Sequence, residues 1–194
     1  EEKLTMNILQ VGTGAIKIPP QRYGGTELHI FNVSRHMVKM GHRVTVLDIK
    51  ESTNGPDVEN IDGIRFIRLP ARKLQIQSRS FMFSYLLTRI NTLAFALKVS
   101  RHIRKNDFDI IHISGTLIGL VLTFLNRGAK GKMVYSAYSP IWFMPSLGRL
   151  DRLAQAADYY LMRRVKKVIV QAEPLRQRLI TMGKLKAENI GIIH

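Results

Sequence analysis

The sequence predicts an α/β protein with a Rossmann-like, doubly wound and mainly parallel sheet that carries helices on both faces. Two observations lead to this prediction. Short apolar segments alternate along the chain with longer segments whose apolar residues recur at helical spacing. Several short segments, such as Ile110–Ile113, are apolar on both faces, which is typical of parallel strands covered by helices. Strands interleaved with helices indicate right-handed βαβ units.

The expected elements follow one another in this alternating order. The strand candidates are Asn7–Val11, Arg43–Ile49, Ile64–Leu69, Ile110–Ile113, Met133–Ala137, Val168–Gln171 and a short one near Ile190–Ile193. The helix candidates are Thr26–Met40, Ser80–Lys105, Thr116–Asn126, Leu150–Lys166 and Pro174–Met182. Because the last strand is followed by no closing element, residues 1–194 are expected to be one domain of a longer protein, cut at a linker.

The composition is that of a globular domain without thiol chemistry. The chain has 194 residues, of which 45% are apolar and 23% charged, enough for one substantial core. It contains no cysteine, which excludes disulfides and thiolate metal sites. His29 and His36 share a helix face, but no carboxylate completes a metal site with them. We therefore expect neither a metal nor a cofactor.

The charge is strongly positive and unevenly distributed. The formal net charge is +16, and between Gly63 and Asn106 there are ten basic residues and no acidic one. Such a field attracts nucleic acid, an anionic membrane or a phosphorylated substrate, unless an acidic domain elsewhere balances it. Residues 72–105 combine aromatic and aliphatic side chains with cations, which suits a helix lying at a membrane surface. The cations of this expected surface are Arg79, Arg89, Arg101, Arg104 and Lys105.

The same segment has a plainer interpretation, a core helix with a solvated basic back. No sequence signature of an RNA- or DNA-binding module accompanies the charge. We therefore expect no nucleic-acid partner.

Two glycines, Gly24 and Gly25, stand between the first strand and the first helix. Their bare N–H groups, at the positive end of a helix dipole, favour a phosphate. A simple tight turn is the alternative, but the loop from Gly12 to Gly25 exceeds the roughly 2–6 residues usual for such connections. The stretch Gly12-Thr13-Gly14 is no dinucleotide fingerprint, because the third glycine would fall at Lys17.

Other candidate site residues lie where parallel strands end, the edge at which such sheets bind ligands. His112 belongs to the fourth strand candidate, either as a buried core histidine or as a ligand contact. Tyr138 and Ser139 occupy a loop after a strand. Glu27 lies in the first helical turn, where a carboxylate also simply complements the dipole.

Five stretches in order resemble the amino-terminal domain of family 4 glycosyltransferases, the retaining enzymes of the GT-B fold. The first runs from Tyr23-Gly24-Gly25-Thr26-Glu27 through the helix to Gly41-His42-Arg43-Val44-Thr45-Val46. The others are Asp107-Phe108-Asp109-Ile110-Ile111-His112, Val134-Tyr135-Ser136 with Ser139-Pro140 and Trp142, Val168-Ile169-Val170 before Glu173, and Ile190–His194. The resemblance therefore covers nearly the whole chain.

The resemblance implies a two-domain enzyme of which residues 1–194 are the acceptor-side half. The absent carboxy-terminal domain would hold most of the nucleotide-sugar, and Gly24 and Gly25 would lie against the donor phosphates. Arg22, Tyr23, His112, Tyr138 and Ser139 would contact the acceptor or the sugar. Transfer would proceed with retention and without a metal, and the isolated domain would be inactive.

One position departs from the family pattern. The family often has a histidine in the loop where this chain has Tyr138, and a tyrosine with a pKa near ~10 would not serve as a base at neutral pH. We expect Tyr138 to position a sugar hydroxyl. The catalytic groups themselves stay unassigned.

The expected partners follow from the resemblance and the charge together. They are a nucleotide-sugar, a sugar or a lipid-linked or phosphorylated acceptor, an anionic membrane surface and the chain's own carboxy-terminal domain. The implied role is carbohydrate biosynthesis in the cytoplasm or at the inner face of the membrane. Two alternatives stay open: a basic module that tethers an assembly to membrane or nucleic acid without catalysis, and a GT-B epimerase, which the Gly-Gly-Thr-Glu run disfavours.

Overall fold

The computed structural model describes residues 4–21, 23–50, 54–70, 81–138 and 148–193. Within these ranges the strands are β1 (Asn7–Val11), β2 (Arg43–Lys50), β3 (Val58–Ile61), β4 (Ile64–Pro70), β5 (Ile110–Ile113), β6 (Met133–Ser136), β7 (Lys167–Val170) and β8 (Ile190–Ile192). The α-helices are α1 (Gly25–Lys39), α2 (Phe81–Lys105), α3 (Thr116–Leu125), α4 (Arg149–Met162) and α5 (Glu173–Thr181). Short 3₁₀ turns precede β6 and β8.

The strands form one sheet in the order β3-β4-β2-β1-β5-β6-β7-β8. All neighbours pair in parallel except β3 and β4, which form an antiparallel hairpin. β1 lies between β2 and β5, with Gln10 opposite both Val46 and His112. The chain winds from β1 toward one edge of the sheet and from β5 toward the other, which is the doubly wound arrangement that the alternating sequence pattern predicts.

Helices cover both faces, and each face has its own apolar cluster. On one face α1 places Ile30 against Val44, Val46, Ile64 and Phe66 of β2 and β4. On the other face the larger cluster joins β1, β2 and β5–β8 to side chains from α2, α3, α4 and α5. The fold class expected from the sequence is therefore confirmed.

Two details differ from the expected elements. The sequence does not predict the strand β3, because Val58–Ile61 is short and its two central residues are polar. It pairs only at the edge of the sheet. The fourth helix ends at Met162 rather than at Lys166. Residues after Met162 turn toward β7, and the Lys166 N–H donates to the Met133 carbonyl of β6 at 2.9 Å.

Within the described part of the chain, no helix combines the length and apolar character that a membrane crossing requires.

Candidate functional site

The candidate site lies at the carboxyl edge of the sheet, where β1, β5 and β6 end side by side. Gly12 follows β1, Ser114 follows β5 and Tyr138 lies two residues after β6. The chain winds in opposite directions from β1 and from β5. Open α/β sheets bind ligands in the crevice outside such a switch point, and we call this place the crevice. Helix α1 begins beside this crevice and contributes its first turn to it.

Gly24 and Gly25 differ in what they allow. Gly24 caps α1 with φ at 141°, and a Cβ there would lie 2.8 Å from Oε2 of Glu27. Only glycine adopts this backbone conformation comfortably. Gly25 has open space within 4 Å of its would-be Cβ. No side chain caps the helix, so its first N–H groups are directed at the open space in front of Gly25.

The long β1–α1 loop is anchored at its start by Glu27. The Thr13 hydroxyl donates to Oε1 of Glu27 at 2.5 Å, and Glu27 is buried. The Gly12 N–H donates to the Leu47 carbonyl of β2 at 2.9 Å. The buried Glu27 carboxylate therefore stabilises the conformation of the loop by accepting a hydrogen bond from its first residues.

A second buried carboxylate anchors the middle of the loop. Oδ2 of Asp48 accepts the Ile18 N–H at 2.6 Å and Nη1 of Arg68 at 2.6 Å. Arg68 also donates from Nε to Oε1 of Glu59 at 2.6 Å, and Lys17 pairs with the same oxygen at 3.5 Å. Burial raises the pKa of Asp48 to about 6, against the lowering effect of the Ile18 and Ile49 N–H groups and of Arg68.

His112 lies in the floor of the crevice. Its side chain is buried, and Nε2 lies 2.6 Å from the Ser136 hydroxyl of β6. Burial lowers the pKa of His112 to about 4, and the nearby His29 imidazole adds to the effect. The ring is therefore neutral at physiological pH, which suits a hydrogen bond with a hydroxyl group.

His29 of α1 and Tyr138, which follows β6, form one side of the crevice. Their rings meet edge to face, with centroids 5.5 Å apart and planes at 72°. Burial raises the pKa of Tyr138, although the Ser136 and Ser114 hydroxyls near it lower it. Burial likewise lowers the pKa of His29. Both rings are thus uncharged at neutral pH.

The structure brings together some of the residues that the sequence singled out. Gly24, Gly25, His112 and Tyr138 surround the crevice. Tyr23 lies at the same edge but is 85% exposed. Arg22, Ser139 and Arg79 lie outside the described residues. Arg89, Arg101, Arg104 and Lys105 belong to α2. Arg101, Arg104 and Lys105 are in its last turns, which lead to the amino end of β5 at the opposite edge, whereas Arg89 is in the first half of the helix.

The sequence suggested only a metal-ligand role for His29, together with His36, and no carboxylate completes such a site. His29 lies one helical turn after Gly25 and therefore on the same side of α1. That spacing, combined with the neighbouring β1, β5 and β6, could have placed it at the site. Among the residues that the structure describes, no group of three or more His, Asp or Glu side chains is arranged to hold a metal ion.

Comparison with known families yields one match that spans most of the chain. The family model described as Glycosyltransferase Family 4 matches residues 23–194. The match begins at Tyr23, next to the two glycines at the crevice. No curated protein matches the chain in sequence.

Solved structures share the fold at low sequence identity. Sucrose-phosphate synthase from Thermosynechococcus elongatus superposes with a TM-score of 0.70 at 19% identity, over 96% of this chain and 47% of that one. Arabidopsis thaliana UGT89C1, solved in complex with UDP-L-rhamnose, gives 0.64 at 11%, over 98% and 49%. A glycosyltransferase from Rickettsia africae gives 0.53 at 15%, over 98% and 43%. The chain spans about half the length of these structures.

Proposed function

Because the chain belongs to glycosyltransferase family 4, we propose that it is the acceptor-binding half of an enzyme that transfers a sugar from a nucleotide-sugar. The fold is one half of the GT-B architecture. In this proposal residues 1–194 form the amino-terminal domain of a longer protein, whose second domain holds the nucleotide. Domain closure would complete the site, so the isolated domain would not transfer sugar.

The observation that carries the proposal is the open space in front of Gly25 at the start of an uncapped helix. Free N–H groups and the positive end of the helix dipole favour the diphosphate of a donor. The structural neighbour from Arabidopsis is solved with UDP-L-rhamnose, a ligand of the same chemical class. The donor would approach from the second domain, across the crevice.

The acceptor side of the proposal rests on the crevice beside α1. Its described polar groups are the hydroxyls of Ser114, Ser136 and Tyr138 with the imidazoles of His29 and His112. Neutral hydroxyls and imidazoles exchange hydrogen bonds with sugar hydroxyls. Tyr138 would position the sugar, and Arg22, Tyr23 and Ser139 stay predictions as further contacts. Retention of configuration also stays part of the proposal, and no metal is required by it.

The exposed face of α2 supports a membrane-bound or lipid-linked acceptor. Four apolar side chains at helical spacing are each at least 39% exposed, namely Leu86, Ile90, Leu93 and Leu97. We call them the α2 apolar stripe. Arg89 lies beside the stripe, and Arg101 and Arg104 continue it at the same helical spacing. This arrangement suits a helix at an anionic membrane surface, such as the inner face of the cytoplasmic membrane.

The test is sugar transfer by the full-length parent protein against a panel of nucleotide-sugars. The expected result is release of the nucleoside diphosphate with formation of a glycosylated product, and NMR of the new linkage tests retention. Release of diphosphate that requires no acceptor would indicate hydrolysis only. A parent protein that is inactive on every donor, but binds DNA or vesicles in a salt-sensitive way, would favour the tethering module instead.

A further inference from the structure

We propose that His29 is a substrate-contact residue, which accepts a hydrogen bond from a sugar hydroxyl bound in front of Gly25. This inference rests on the proposed function and adds to it a residue on α1. The sugar belongs either to the donor or to the acceptor, and the experiment below separates the two.

The first argument is the position of His29 on its helix. Gly25 and His29 are four residues apart, so they lie one above the other on the same side of α1. Side chains of a helix lean back toward its amino terminus. The imidazole of His29 therefore lies over the turn that begins at Gly25, where the space is open.

The second argument is that neighbouring rings hold His29 in place. Tyr138, from the segment after β6, packs edge to face against it at 5.5 Å between centroids. The His29 imidazole is close enough to His112 of β5 to lower the pKa of His112. A side chain fixed between α1, β5 and the end of β6 offers a directed lone pair at low entropic cost.

The third argument concerns the protonation state. The titratable groups that face His29 within the described chain are His112 from β5 and Tyr138 from the segment after β6. Burial lowers the pKa of His29 and of His112 and raises that of Tyr138. All three are neutral at pH 7, so one ring nitrogen of His29 carries a lone pair that accepts a hydrogen bond.

Two other acceptors near the glycines are already engaged by the protein. The Glu27 carboxylate receives the Thr13 hydroxyl under the loop. His112 shares a hydrogen bond with Ser136. His29 has no hydrogen bond to another described side chain of the crevice and is half-buried. Its acceptor nitrogen is therefore one that the described side chains leave available to a ligand.

The experiment compares three variants of the full-length parent protein in the sugar-transfer assay from pH 5 to pH 8. His29→Leu removes the acceptor, His29→Gln replaces it with an amide oxygen that does not titrate, and His36→Leu is the control. His36 lies two turns further along α1 and is exposed. Circular dichroism checks that each variant is folded.

We expect His29→Leu to lower kcat/KM by about tenfold, the loss of one hydrogen bond, and His36→Leu to leave it within about twofold. Wild-type kcat/KM should decline below the pH at which His29 gains its proton, which lies under 6.5. His29→Gln should retain more activity than His29→Leu and lose that decline. Asp48 is present in every variant, so its titration cancels in the comparison.

The kinetic constants identify the sugar. A raised KM for the nucleotide-sugar assigns the hydroxyl to the donor, and a raised KM for the acceptor assigns it to the acceptor. An unchanged kcat/KM in His29→Leu, or a wild-type pH profile in His29→Gln, would overturn the inference and leave the proposed function standing. A wild-type parent without transferase activity would overturn the proposed function and this inference with it.

Discussion

Burial determines the charge of the side chains at the carboxyl edge of the sheet. His112 is buried and keeps a pKa of about 4, while Asp48, equally buried, has its pKa raised to about 6. Both shifts disfavour the charged form. Their effects on stability have opposite pH dependence. Lowering the pH destabilises the fold through His112, which resists gaining a proton, and stabilises it through Asp48, which resists losing one.

The first prediction follows from His112. Its pKa is near 6.5 in the unfolded chain and about 4 in the fold, so the unfolded chain binds more protons between these values. Its contribution to stability is full above pH 6.5 and is lost as the pH falls toward 4, by at most about 3 kcal/mol. His112→Gln removes this dependence. Urea unfolding should show that the free energy of unfolding of the variant, relative to that of the wild type, is higher at pH 4.5 than at pH 7.5.

The contribution of Asp48 to stability increases as the pH falls. It is the same in the wild type and in His112→Gln, so it cancels in the comparison. A difference in the free energy of unfolding that stays constant between the two pH values would mean that His112 titrates normally in the fold. It would then be partly open to water, contrary to the structure.

At the scale of elements, the β1–α1 loop is held from below by two carboxylates, one on each neighbouring element. Glu27 of α1 holds Thr13, and Asp48 of β2 holds Ile18. Arg68 of β4 supplies the countercharge to Asp48 and reaches Glu59 of β3. The loop that leads to Gly24 and Gly25 is therefore fixed by the sheet before any ligand arrives.

The second prediction concerns that countercharge. Arg68→Met leaves Asp48 buried and unpaired, which should cost about 3–5 kcal/mol in the free energy of unfolding at pH 7.5. At pH 5 the cost should be smaller, because Asp48 with a pKa of about 6 is then largely neutral. Arg65→Met on the same strand is the control, since Arg65 is exposed. An equal cost for Arg68→Met at both pH values would show that the ion pair contributes little.

The third prediction concerns the α2 apolar stripe. Leu93→Glu places a carboxylate among the exposed apolar side chains and should weaken binding to phosphatidylglycerol vesicles by about tenfold or more. Leu28→Glu on α1, which covers the other face of the sheet, changes a leucine that is more exposed than Leu93 and should have little effect. Co-sedimentation measures both. Vesicle binding that Leu93→Glu leaves intact would exclude the stripe as the membrane surface.

At the scale of the molecule, the fold was predictable because parallel strands and their helices repeat a simple pattern. Apolar strands such as β5 and the periodicity of α1 are local features, and they predicted the sheet and its layers. The strand β3 was missed because a short strand at the edge of the sheet buries little, so its sequence lacks a clear apolar pattern. The place of Gly24 and Gly25 between a strand and a helix was predictable, and their role at the site stays a prediction.

The remainder of the site depends on the order of the strands in the sheet, which cannot be read directly from the sequence. His29, His112 and Tyr138 are far apart along the chain and meet only because β1, β5 and β6 are neighbours. The Asp48–Arg68 pair likewise joins β2 to β4 across 20 residues. Such contacts require the register of the sheet, and periodicity alone does not supply it.

The measurement that tests the account most directly is kcat/KM for the nucleotide-sugar in the full-length parent with Gly25→Trp. A Cβ at Gly25 meets no atom within 4 Å, so the fold should tolerate the substitution while the indole fills the place of the diphosphate. Gly131→Trp is the matched control, because Gly131 also has open space but lies before β6 at the opposite edge.

We predict that Gly25→Trp lowers kcat/KM by about a hundredfold or more without changing the unfolding midpoint, as expected when reacting groups are displaced by about an ångström or more. Gly131→Trp should stay within about twofold of the wild type. Full transferase activity in a folded Gly25→Trp protein would contradict the account, because the two glycines would then form only a turn and the donor phosphates would bind elsewhere.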